Sequence, residues 1–212
     1  MAIILPVHTV VYNKTPTTHI THTRVQLPKP LAPLVVATKN EVVPLVPFYS
    51  QFKDIASTKW QKVGCGVTSL AMIIDYYSSE TISVNTLLTR GIASGAYADN
   101  TGWAHQGLIS LSKKYNLNGS SYDVSDLNTD VALTKLESYV DGGPVMASVH
   151  YKFDPKSTIP HLVVITGIKD GTVYYNDPAA KQGDLTISIL DFQKSWKKKF
   201  IVIRPEKKST VV

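Results

Sequence analysis

The strongest constraint on what this chain can fold into is a change of period partway along it. Before Gly142-Gly143 the apolar residues recur at helical spacing; after it they gather in short runs rich in β-branched and aromatic residues. The helical part starts with Val67, Leu70, Ala71, Ile74 and Tyr77 on one face. A short helix follows Ser83, an expected N-cap, through Leu87 and Leu88. Ala104, Leu108, Leu111 and Tyr115 keep the same spacing, and Ala132, Leu133, Leu136 and Val140 mark a helix over 129–139. Residues 91–102, broken by Gly91, Gly95, Asn100 and Gly102, read as a loop. The later runs, 144–151, 162–168, 172–176, 185–189 and 200–203, read as strands. Lys169-Asp170-Gly171 is their hairpin turn and 191–197 a short helical crossover. Helices first and strands later predict an α+β fold, N-terminal helices packed on a C-terminal antiparallel β-sheet.

The first helix also carries the only cysteine. Cys65 lies between Gly64 and Gly66, directly before the helical pattern. At a helix N-terminus, unpaired N–H groups and the positive end of the dipole favour a thiolate, the nucleophilic form. The flanking glycines are expected to leave room for a substrate carbonyl to approach the sulfur. A single cysteine forms no internal disulfide, so cysteine usage does not fix the redox compartment.

With 212 residues the chain has room for one domain and an additional segment. Residues 1–42, with prolines at 6, 16, 28, 30 and 33, read as an extended Thr/Pro-rich arm or linker with an edge strand near 3–12. The domain is expected over 43–205, with 206–212 as a tail. His19 and His22 have no acidic or thiol neighbour in sequence to complete a metal site. The formal charge is +6, but the late lysines 194, 197–199, 207 and 208 read as a solvated end rather than a nucleic-acid face. No run approaches the roughly 18 apolar residues of a membrane helix, and 1–11 lacks the basic start of a complete signal peptide. No phosphate-binding glycine loop or clustered metal ligands occur, so no cofactor is implied.

A catalytic thiol needs an imidazole to share its proton, and the imidazole needs an acceptor to hold its orientation. His161 opens one strand of the predicted hairpin and Asp177 ends the other, so a tight turn brings both to one end of the sheet. Asn176 is the competing acceptor, although alternation along a strand sends it to the opposite face. His105 and His150 read as rim or structural histidines, and Trp60, Trp103 and Trp196 as core or cleft wall.

Taken together, Gln51, Gly64-Cys65-Gly66 with its helix, Pro160-His161-Leu162-Val163-Val164 with Gly167, and Asn176-Asp177-Pro178 resemble the papain-like cysteine peptidases related to the bacteriocin-processing, double-glycine-leader peptidase family. They are most similar to its stand-alone bacterial relatives, which lack the transporter. The resemblance covers roughly 43–205 and implies the papain-like fold. It places the nucleophile on Cys65, the general base on His161, the orienting acid on Asp177 and the oxyanion-hole glutamine on Gln51, with Gln61 as the alternative because neither keeps the spacing of the transporter-linked enzymes. The activity implied is hydrolysis of peptide bonds through a thioester, without cofactor or metal, by a monomer with no integral membrane segment acting on a peptide or protein. The resemblance also implies an extracellular or cell-envelope location. Two other readings stay open: a catalytically silent peptide-binding or envelope-attached module, and an amidase or transacylase.

Overall fold

The computed structural model describes residues 45–78, 82–99 and 102–206. The expected arm with its edge strand, His19 and His22, and the tail beyond Glu206 lie outside the described residues.

The helix that carries the cysteine, Cys65–Tyr77, is buried on all sides, with every residue from Gly66 to Ile74 out of solvent. The sequence pattern predicts a single apolar face. The difference arises because this helix (α2) follows a one-turn helix at Thr58–Gln61 (α1) and is enclosed between the sheet and two further helices, Val84–Ala93 (α3) and His105–Ser112 (α4). Small residues permit that enclosure. Ser69 at its centre resolves its polarity by donating Oγ to the Leu162 carbonyl at 3.2 Å.

Residues 91–102 are not the loop that their glycines predict. α3 runs on to Ala93, and Tyr97–Ala98 (β1) pairs with Gly102–Trp103 (β2) as a small antiparallel ribbon. The Ser83 cap forms as expected, its hydroxyl accepting from Thr86 N–H.

The remaining elements are Leu117–Asp123 (β3), Thr129–Val140 (α5), Val145–His150 (β4), Pro160–Lys169 (β5), Thr172–Asn176 (β6), Leu185–Ser188 (β7), Ile189–Ser195 (α6) and Trp196–Pro205 (β8). The strands form one antiparallel sheet in the order β3-β8-β4-β5-β6-β7. β3 is absent from the sequence reading: Leu-Asn-Gly-Ser-Ser-Tyr-Asp has little β-propensity, and it is an edge strand recruited by its full-length register with β8. The predicted 191–197 crossover starts and ends two residues earlier, because Ser188 caps α6 through Asp191 N–H. The predicted hairpin is present, with Asp170 at φ 49° and Gly171 at φ 73°, both left-handed as a two-residue turn of this twist requires.

Alternation along the strands splits the interior into two cores. Leu162 and Val164 of β5, Met146 of β4 and Ile201 of β8 face α2, α3 and α4. Val163, Ile165, Ala147 and Phe200 face the opposite way, against α5 and α6. The helices therefore cover both faces of the sheet, and both runs of apolar residues along β5 are buried.

Asn176, at the end of β6, is fully buried and binds the chain on both sides, its Nδ2 donating to Val46 carbonyl (3.1 Å) and its Oδ1 accepting from Asp184 N–H (2.8 Å). Asn176→Ala leaves the buried Val46 carbonyl and the part-buried Asp184 N–H without their partner. It is expected to cost about 2–4 kcal/mol, read as a lower urea midpoint with an unchanged m-value.

Candidate active site

Cys65 is the first residue of α2 and the free thiol is half-buried. Ser83, Asn128 and Ser188 cap the N-termini of α3, α5 and α6 with side-chain oxygens, but Gly64 gives α2 no such cap. Of its first-turn residues Cys65 lies on the cleft lining, so its backbone N–H, with no side-chain cap to bind it, stands at the cleft. The two glycines beside the cysteine serve packing rather than access. A Cβ on Gly64 would lie 2.2 Å from Ile55 Cδ1, and one on Gly66 2.5 Å from Trp103 Cγ. Trp103 wedges between Gly66 and Gly91 and donates its indole N–H to Val63 carbonyl at 2.6 Å, bracing the turn that leads into Cys65.

His161 and Asp177 meet because of an irregularity that the sequence did not reveal. From the turn, Lys169 faces Thr172, Ile168 faces Val173 and Gly167 faces Tyr174. Then the register slips by one, so that Ile165 faces Tyr175 and Val164 faces Asn176. Thr166 is the extra residue. Continued by one residue, the slipped register sets Asp177 opposite Val163, two residues from His161. Without the slip at Thr166, Asp177 would fall opposite Val164, three residues from His161. His161 Nε2 donates to Asp177 Oδ1 at 2.7 Å, and the Cys65 thiol lies near enough to the same ring to act on its charge. Asn176, the competing acceptor, is occupied by Val46 and Asp184.

His161 and Asp177 are 4 % and 8 % exposed. Burial is the largest influence on His161 and opposes its charge. The hydrogen bonds to Asp177 and Cys65, together with the negative charge of both partners, outweigh it, and the imidazole pKa is pushed up from 6.5 to about 9. Asp177 Oδ1 also accepts from Ala179 N–H at 2.7 Å, which fixes the carboxylate in the Asp-Pro turn.

The two candidate glutamines separate cleanly. Gln51 is buried, borders the cleft, and donates one Nε2 hydrogen to Gln61 carbonyl at 2.7 Å, leaving the second free. Its own backbone N–H donates to Pro178 carbonyl at 2.8 Å. Gln61 spends its amide elsewhere, on the carbonyls of Ile55 (2.8 Å) and Phe52 (3.2 Å), and holds the loop between them. The chain path thus allots Gln51 to the cleft and Gln61 to the loop.

The cleft has a volume of about 650 Å³ and contains Cys65, His161 and Gln51 on its lining. His105 also reaches it, with Nε2 3.1 Å from Ser148 Oγ; burial and then Lys199 push its pKa down against Asp123, so the ring is neutral at pH 7. His150 instead donates Nδ1–H to Ser157 carbonyl at 2.6 Å and braces the loop before β5. Of the tryptophans, Trp196 lies in the second core and Trp103 in the cleft wall, with Trp60 edge-on to Tyr97. Sequence reasoning missed Tyr151, whose ring stands edge-on to His161 at 5.2 Å between centroids. A lone tyrosine at a strand end carries no periodic signal.

A thiol on a central helix and an imidazole-carboxylate pair on the facing antiparallel sheet define a papain-like cysteine peptidase fold. Over residues 44–199 the chain matches the Peptidase_C39 like family, and it belongs to that family. No curated protein matches it. Among solved structures it is similar to a double glycine motif protease from an AMS/PCAT transporter, solved with its leader peptide (21 % identity, TM-score 0.54, 78 % of this chain and 96 % of that one). A Bacillus anthracis chain described as a C39-like peptidase gives 21 % identity, TM-score 0.56, and 77 % and 96 % coverage. The peptidase domain of Streptococcus ComA, a bi-functional ABC transporter, gives 20 %, 0.52, and 68 % and 93 %. At these identities the likeness is one of fold. Among the described residues no helix is long and apolar enough to cross a membrane.

The His161 environment yields a direct check. The imidazole should titrate by NMR with a midpoint of about 9, and Asp177→Asn should lower it, because the carboxylate charge that offsets burial is gone. A midpoint unmoved by Asp177→Asn would show that the carboxylate does not govern the ring.

Proposed function

We propose that this protein is a cysteine peptidase that cleaves peptide bonds through a Cys65 thioester. The observation that carries the reading is one imidazole, His161, bonded to Asp177 and lying beside the helix-borne Cys65 thiol on the lining of one open cleft. A His161 protonated at neutral pH stabilises a facing thiolate, and Asp177 holds the ring in register with it.

The Cys65 sulfur attacks the scissile carbonyl, and the carbonyl π-electrons move to oxygen. That oxygen is received by the Cys65 backbone N–H and the free Nε2 hydrogen of Gln51. As the C–N bond breaks, His161 passes its proton to the leaving amine, giving a thioester on Cys65. His161 then takes a proton from water, the hydroxide displaces sulfur, and the acid product leaves. Gln51 is anchored through Pro178 to the turn that bears Asp177, so the oxyanion donor and the orienting acid share one support.

Cleavage of a randomised peptide library, read by mass spectrometry, tests the reading. Cys65→Ala should abolish it, and Gln51→Ala should retain a residue of activity, down by about 10²–10³ in kcat, because one of two oxyanion donors remains. Wild-type cleavage undiminished in Cys65→Ala would overturn the assignment. A second measurement is alkylation by iodoacetamide at pH 7, which should be faster in the wild type than in His161→Ala. Transfer of the acyl group to added amines, in place of acid product, would mark the acyltransferase alternative.

A further inference from the structure

β8 does not run evenly along β4. Ser148 faces Lys199, but the next residue, Val149, faces Trp196, so Lys197 and Lys198 are additional residues on β8. Lys198 sits at φ 53°, a left-handed conformation that a residue with a Cβ rarely adopts, and turns its ammonium away to the Leu127 carbonyl at 2.7 Å. Bulges of this kind re-aim side chains next to sites. Here the bulge leaves Lys197 on the lining of the cleft, half-buried, between strand ends that also bring Ser148 and Tyr151 to it.

The three consecutive lysines then have different fates. Lys198 is bound to a backbone carbonyl. Lys199 also borders the cleft but is ion-paired at 2.9 Å with Asp123, whose carboxyl is held down to about 2 by Ser125 and by Lys199 itself. Lys197 has neither hydrogen bond nor ion pair among the described residues, and the acid on the cleft lining, Asp99, makes none with it. The half-buried residue carries its unpartnered ammonium on the cleft lining, so a carboxylate arriving in the cleft meets a cation that no other side chain there neutralises.

We propose that Lys197 is a specificity-determining residue that selects a peptide substrate carrying an Asp or Glu side chain at one position of the bound segment. This rests on the peptidase reading for turnover, but not for binding. The contact is one ammonium N–H donating to a carboxylate oxygen, made in the bound complex and retained through the reaction, so it acts on KM more than on kcat.

Two arms test it. In the first, wild-type protein is given peptide pools in which Glu, Gln or Lys is fixed at each position in turn. One position should favour Glu over Gln by about tenfold in kcat/KM, with Lys below both. Lys197→Met, which keeps the apolar stem, should abolish the preference through KM; Lys197→Glu should reverse it toward Lys. Lys199→Met should leave it in place, and rising salt should weaken it. In the second arm, Cys65→Ala protein and its Lys197→Met double variant are titrated with the same pools, fluorescein-labelled, and read by anisotropy. Absence of cleavage by the wild type would count against the peptidase reading, and the anisotropy arm would still decide the role of Lys197. A preference for Glu that survives Lys197→Met, or no preference for Glu in either arm, overturns the proposal.

Discussion

One hydrogen bond sets the geometry on which the cleft depends. Ser69 Oγ, one turn along α2 from Cys65, donates to the carbonyl of Leu162, the residue after His161. Both ends are buried, so the bond is made out of competition with water, and losing it would strand a carbonyl between helix and sheet. It fixes the advance of the helix relative to the strand, and so the separation of thiol and imidazole. Packing alone would not do this: α2 is surrounded by Val164, Met146 and Ile201 on one side and by α3 and α4 on the other, and apolar contacts resist sliding weakly. The wedge of Trp103 between Gly66 and Gly91 closes the remaining freedom at the N-terminal end.

A second support links the pieces that lie far apart in sequence. The turn after β6 holds Asp177 through Ala179 N–H, receives Gln51 N–H at Pro178, and receives the Ser50 hydroxyl at the Ala180 carbonyl (3.3 Å). Asn176 adds the Val46 carbonyl and Asp184 N–H. The segment that brings Gln51 to the cleft therefore has little regular structure and is held instead by polar contacts to one turn. That explains why a buried amide is tolerated where a core residue would ordinarily stand: its neighbours are fixed independently of it, and its Oε1, buried without a partner among the described residues, faces a rigid surrounding.

How much of this was legible in the sequence follows from which signals are local. The Cys65 helix, the Asp170-Gly171 turn and the Ser83 cap are written in adjacent residues, and each is found where its pattern places it. The purpose of Gly64 and Gly66 was not, since a glycine reports only that a side chain is absent; that Ile55 and Trp103 occupy the space is a tertiary fact. β3 escaped for the same reason, being a strand by virtue of β8. The two-residue bulge at Lys197-Lys198 involves neither glycine nor proline and has no sequence signature, while the slip at Thr166 adjoins Gly167, a glycine inside a strand run that signals an irregularity without giving its register. The bulge puts Lys197 on the cleft lining and the slip sets the register that leads to Asp177, so a regular sheet would have placed these side chains otherwise.

The two irregularities act on charge in opposite ways. The slip at Thr166 brings a carboxylate to a buried imidazole: burial disfavours the charged ring, and Asp177 and Cys65 restore it. The bulge on β8 sends Lys197 to the same cleft with nothing opposite it. The charges of the reacting groups act first on one another, while Lys197 stands at the cleft wall outside that set. A chain that kept β8 regular would take one cation from a cleft wall that also carries Lys62, Lys199 and Asp99, and on the proposed reading the charge pattern met by a bound peptide would change with it.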